Sequence, residues 1–203
     1  MFTEFEIETM IENKRIFQAV DDLRKDFLKT DAPYLEISEH DFLSLVMMAP
    51  TVGIALANGS VSLFEELALN KKARKLSKGG YFMKRDPVVH GLKFLIKKYD
   101  SWETKFFGLI KLTMEELCDM EALHQKFDAS AQVSYAEYKR EVLKTPYIFI
   151  RYLSSFFTED DEDIISIRSM VKVDYERMKE IGGKLGLNGI PVFHMFCQTF
   201  KVK

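Results

Sequence analysis

Cysteine is scarce: Cys118 and Cys197 are the two in 203 residues, and no Cys-x-x-Cys occurs. Two thiols cannot make a structural zinc site without histidines, so both are expected to be free and structural in a reducing cytoplasm. Tryptophan is scarcer still, one residue against seventeen phenylalanines. That balance points to core filling more than to surface recognition. No secretory leader is expected: Met1–Glu8 carries acid where a leader carries base. No apolar run is long enough for a membrane span. Phe42–Phe64 has no charge, but its dense part, Phe42–Ala57, stops short of the roughly 20 residues a spanning helix needs. Pro50 interrupts it and Asn58-Gly59-Ser60 ends it, so it reads as a buried core helix, and the protein is expected not to be an integral membrane protein. Gly-x-Ser-x-Gly, Walker and Rossmann glycine motifs are all missing. Their absence removes the usual local marks of hydrolases and nucleotide enzymes; a Ser/His/Asp set assembled only in space leaves no such mark.

What is present is an apolar share of 47% of the chain, with aromatic residues making up 13% of the chain, enough for a sizeable core in one domain over residues 1–203. Helical spacing dominates. Phe5, Met10, Ile11, Phe17, Val20, Phe27 and Leu28 predict a first helix over Thr3–Lys29, broken by Asp31-Ala-Pro33. Ser38 caps the central helix, which Pro50 should kink or divide. Ser62 with Glu65 three residues on is a capping box opening a helix to Ser77. Asp86-Pro87 opens the next. Ser101 should start a long helix reaching about Phe127, and Ser134 with Glu137 is a second capping box. Pro146 should divide the helix that follows. Thr158 should cap a helix whose first turn is the acidic run Glu159–Asp163, ending at Gly182-Gly183. That run lacks the spaced oxygen ligands and central glycine of an EF-hand. Pro191 begins a short last helix. No strand is expected, apart from an ambiguous Ile148-Phe-Ile150. The fold class is therefore all-α: a compact bundle of about seven or eight helices around a buried central helix.

The two capping boxes have matching surroundings, each a loop, then Val-Ser-x-x-Glu, then a basic amphipathic helix. They point to two duplicated halves near 38–99 and 101–183. Ala57-Asn-Gly-Ser-Val-Ser-Leu-Phe-Glu65 resembles the loop of the TerB-like (tellurite-resistance) helical family; the resemblance covers mainly residues 45–77, with fainter echoes at 120–145 and Tyr175–Leu187. The resemblance implies a helical bundle tied to stress response and a metal-linked set of acids. Glu65, Asp128 and Glu137 match the acidic positions. Asn58 stands where the family places an acid, and Ala129 where it places glycine.

Four histidines are available: His40, His90, His124 and His194. Glu121-Ala-Leu-His124 puts a carboxylate and an imidazole on one helix face, as di-iron bundles do, but no second Glu-x-x-His exists. The divalent-metal candidates are thus Glu65, Glu121, His124, Asp128 and Glu137. His90 follows Asp86 by four residues and is placed to pair with it.

Charge segregation is the stronger signal. Residues 1–70 hold five basic and thirteen acidic side chains; residues 71–98 hold ten basic and one acidic. The basic segment, with Lys71, Lys72, Arg74, Lys75, Lys78, Lys84 and Arg85 at its centre, is the expected anion- or partner-binding face. Tyr81 and Phe82 in its loop are placed to stack on a base or enter a lipid surface. The competing reading pairs this face with the acidic N-terminal helix, in the same molecule or a neighbour.

The leading expectation is a non-enzymatic cytoplasmic binding or scaffold protein with a protein partner or homo-oligomer and no cofactor. An apolar patch beside the basic face would mark it. The alternatives are a metal-dependent or hydrolytic enzyme using Glu121, His124 and clustered acids, and a peripheral binder of anionic surfaces or nucleic acid. The slightly negative net charge of −2 argues against nonspecific DNA binding.

Overall fold

The computed structural model describes residues 1–79, 85–124, 133–158 and 164–203. Tyr81, Phe82, Lys84, Asp128 and Glu159–Asp163 lie outside them. The chain is mostly helical. Its described elements are α1 (Glu4–Glu12), α2 (Lys14–Thr30), α3 (Glu39–Met47), α4 (Ala49–Ala55), α5 (Leu63–Leu76), α6 (Pro87–Lys97), α7 (Tyr99–Leu117), α8 (Met120–Leu123), α9 (Tyr135–Lys144), α10 (Tyr147–Phe157), β1 (Arg168–Met170), α11 (Lys172–Lys184), α12 (Pro191–Gln198) and β2 (Phe200–Val202). No described helix is long and apolar enough to cross a membrane.

The helical path is cut into more pieces than the expected seven or eight. Asn13 is the first reason. Its backbone is extended, and its side chain accepts from the Arg15 and Ile16 amides, so it ends α1 and caps α2. The break shifts the buried stripe. Ile7, Met10, Ile16, Val20 and Phe27 face inward, whereas Phe5 is 78% exposed and Phe17 41%.

The central element is as apolar in space as in sequence. Every residue from His40 to Pro50 is buried, and the element divides at Met48 just before Pro50. Around it lies one apolar cluster that runs from Met1 to Phe200. Phe27, Phe42, Trp102 and Phe106 form its aromatic centre, with centroids 4.9–5.9 Å apart in edge and tilted contacts. The Trp102 indole N–H donates to Asp31 at 2.7 Å, satisfying the ring's polar end.

Three other expectations are corrected. α7 starts at Tyr99 rather than at a Ser101 cap, and it ends at Leu117 rather than near Phe127, because Cys118 turns extended. Residues 168–170 form a strand instead of helix. They pair in parallel with residues 200–202, from Arg168↔Phe200 to Met170↔Val202. Residues 148–150 are helical. Finally, α11 runs through Gly182 and Gly183 to Lys184. Gly182 is a packing glycine: a Cβ there would sit 2.2 Å from Phe193 Cζ.

Polar ties lock the elements together. Arg151 grips Glu6 with two 2.9 Å hydrogen bonds, tying α10 to α1. Arg177 donates to Glu103 at 2.7 Å and to the Gly53 carbonyl at 3.3 Å, tying α11 to α7 and α4. Lys184 also donates to Glu103, at 2.6 Å.

Candidate functional site

Helix α5 begins at the Ser62 capping box. Glu65 Oε2 accepts from Ser62 N at 2.7 Å and from Ser62 Oγ at 2.6 Å, while Ser62 Oγ accepts from the Glu65 amide. The helix buries Leu69, Lys72, Ala73 and Leu76 against α3 and α6. Its opposite side is unusual. Leu63 is 69% exposed, Phe64 83% and Leu67 58%. At 3.6 residues per turn these three share roughly one third of the circumference with Lys71, Arg74 and Lys75, all exposed. The outer face of α5 is thus apolar over its first turns and basic over its last.

The expected basic face is partly redistributed. Lys72 belongs to the interior, at 5% exposure. It sits at i+3 from Leu69 and i−4 from Leu76, so the buried stripe carries it inward. Its ammonium donates to Thr51 Oγ1 at 2.8 Å and to the Thr158 carbonyl at 3.3 Å, at the C-terminal end of α10. A cation there suits the helix dipole. Lys78 pairs with Glu8 on α1 at 3.4 Å, as the acidic-helix alternative anticipated. Lys71 and Lys75 are exposed and each has an interaction partner. The Arg74 and Arg85 guanidinium groups have none among the described residues.

Behind this face lies a buried polar knot. Asp41, fully buried, accepts from the Lys78 amide at 2.8 Å and from Ser38 Oγ at 3.0 Å. His40 Nδ1 lies 3.5 Å from its carboxylate, and His40 Nε2 lies 3.1 Å from the Glu4 carbonyl. Burial disfavours the charged ring, but the Asp41 carboxylate and the Glu4 carbonyl outweigh it and raise the imidazole above its ordinary value.

The metal candidates are dispersed. Glu65 and Glu137 each serve their own capping box on separate helices. The Ser134 hydrogen bonds hold the Glu137 carboxyl below its ordinary value. Glu121 and His124 are exposed; His124 Nδ1 is 2.7 Å from the Met120 carbonyl, and its ring lies against Gly189. Among the described residues, no three of His, Cys, Asp and Glu gather where they could hold a metal ion. Glu65 instead faces Asp174 on α11, whose pKa is raised first by burial and then by that like charge.

The other reactive groups are engaged or silent. The Asp86 carboxylate caps α6 through the Val88 and Val89 amides and accepts from Ser77 at 2.7 Å; the His90 ring packs at a tilt beside Phe94. A cavity of about 490 Å³ holds Tyr34, Glu36, Ser38, Arg85 and His90, but Ser38 Oγ is engaged in the Asp41 cap. Both cysteines are free; burial pushes the Cys118 thiol up to about 11 and the Cys197 thiol to about 12, leaving both protonated near neutrality.

Leu63, Phe64 and Leu67 were not singled out by motif. A helical projection of residues 63–76 reveals them, because Leu69 and Leu76 define one apolar side and these three define another. No family model, curated protein or solved structure matches the chain.

Proposed function

We propose that the protein is a non-enzymatic cytoplasmic docking protein, a compact helical bundle that receives a protein partner on the outer face of α5. The observation that carries this reading is the contiguity of exposed Leu63, Phe64 and Leu67 with the basic last turns of the same helix. Scattered exposed apolar residues are ordinary on a protein surface; three within two turns form a patch. Fully covering each is worth about 1.5–3 kcal/mol, before the costs of association. The TerB-like resemblance of Ala57–Glu65 accords with a non-enzymatic helical role in stress response and stays part of the proposal.

The test places the photo-cross-linker p-benzoylphenylalanine at Phe64 and, as control, at Leu143, an equally exposed apolar position on α9. Position 64 should trap a defined protein, and the purified pair should bind about tenfold more weakly with Leu67→Ser. Equal adducts at both positions, or none at 64, would count against the docking face.

A further inference from the structure

We infer that the occupant of the α5 face is an acidic amphipathic helix of a different protein, its apolar side chains on Leu63, Phe64 and Leu67 and its carboxylates on the Arg74 end. This rests on the docking reading and adds the partner's chemistry. Three features select that occupant over the alternatives.

The first is shape. From Leu63 to Lys75 the stripe runs about 18 Å along one straight helix, the length of three turns or so of a partner helix. A helix laid alongside would meet it with apolar residues at i and i+3 or i+4 and acids two turns further on. The second is the order of charge. Arg74 lies between Leu63 and Leu67 in azimuth, inside the apolar stripe. A helix resting in a lipid surface keeps its cations on the polar face, away from the inserted side. Here insertion of Leu63 and Leu67 along the helix would drag Arg74 into the hydrocarbon. The third excludes a second copy of the same face. Two α5 helices side by side in parallel would set Arg74 and its neighbours against the same cations. Antiparallel, they would lay Leu63 and Phe64 against Lys75 and Arg74. Neither arrangement satisfies the apolar and the basic half together, whereas an apolar-then-acidic helix satisfies both. The Arg74 guanidinium, exposed and without a partner among the described residues, is available to a carboxylate of the incoming helix; Lys71 and Lys75 are already engaged, so the charge contact is assigned to Arg74.

The experiment is a display selection on the intact protein. The probe is a library of amphipathic helical peptides of about 18 residues, with fixed leucines on one side and random charge at the remaining positions. Selected sequences should be enriched in Asp and Glu in one half of the peptide. Their binding should weaken about tenfold with Phe64→Ser and again with Arg74→Glu, and should fall as NaCl rises from about 50 to about 300 mM. Both substituted positions are exposed, and unchanged thermal melting verifies the fold. Phe64-dependent binders with no acidic bias, or with a basic one, would overturn the acidic-helix inference and leave the docking face standing. Absence of any Phe64-dependent binder would overturn both. In a parallel arm, Phe64-dependent flotation with vesicles of phosphatidylcholine and about 30% phosphatidylserine would overturn the inference in favour of a lipid surface.

Discussion

Lys72→Met is the sharpest test of how α5 divides its lysines. Methionine keeps the side-chain length and deletes the ammonium. Thr51 Oγ1 keeps partners, since it also lies within reach of the Ser155 and Phe156 carbonyls at 3.3 and 3.1 Å. The Thr158 carbonyl, on a residue only 4% exposed, loses its Lys72 donor. An abandoned buried acceptor costs about 1–3 kcal/mol, and the lost cation at the end of α10 adds about 0.3–1 kcal/mol. Relief of the lysine's desolvation offsets part of this. The net expectation is a loss of about 2 kcal/mol. With a urea m-value of about 2 kcal/mol/M, the denaturation midpoint should fall by about 1 M at unchanged m. Arg74→Met, two residues on but on the outer face, should stay within about 0.5 kcal/mol of the parent. Equal midpoints for the two variants, or a higher one for Lys72→Met, would refute the assignment of Lys72 to the interior.

Three further outcomes are expected. The raised His40 pKa means its contribution is full below the unfolded value of about 6.5 and fades as pH climbs through the folded value. The stability gap between the parent and His40→Gln should therefore narrow as pH rises from about one unit below the unfolded value into the alkaline range, and a widening gap would contradict the Asp41–His40–Glu4 arrangement. Gly182→Ala should lower stability by about 1–3 kcal/mol in thermal or urea melts despite alanine's better helix propensity, because Phe193 is buried and cannot yield the space. Cys118 and Cys197 should react with Ellman's reagent at pH 8 far more slowly in the native protein than in urea; fast native labelling would contradict their raised pKa values.

Much of the framework was legible because it is written in neighbouring residues. The Ser62–Glu65 and Ser134–Glu137 boxes, the Asp86 cap before Pro87 and the division near Pro50 each involve contacts within three or four positions, and all four are present. The strand pair was not legible: residues 168–170 and 200–202 are only three residues each, too short for an alternating pattern, and they pair across α11 and α12. Asn13 was read as helix interior, since its break depends on an extended backbone that no glycine or proline announces.

A helical chain, an apolar stretch free of charge over residues 42–64 and a basic segment after residue 70 are all readable from the residues in order. Those follow from composition, spacing and caps, which act locally. Tertiary structure alone decided what each basic residue does. Lys71 and Lys72 are adjacent in the chain but about 100° apart on α5, so packing against α3 and α6 buries one and leaves the other outside. The same packing uses Leu69 and Leu76 for the core and turns Leu63, Phe64 and Leu67 to solvent, because one helix can press only one side against its neighbours.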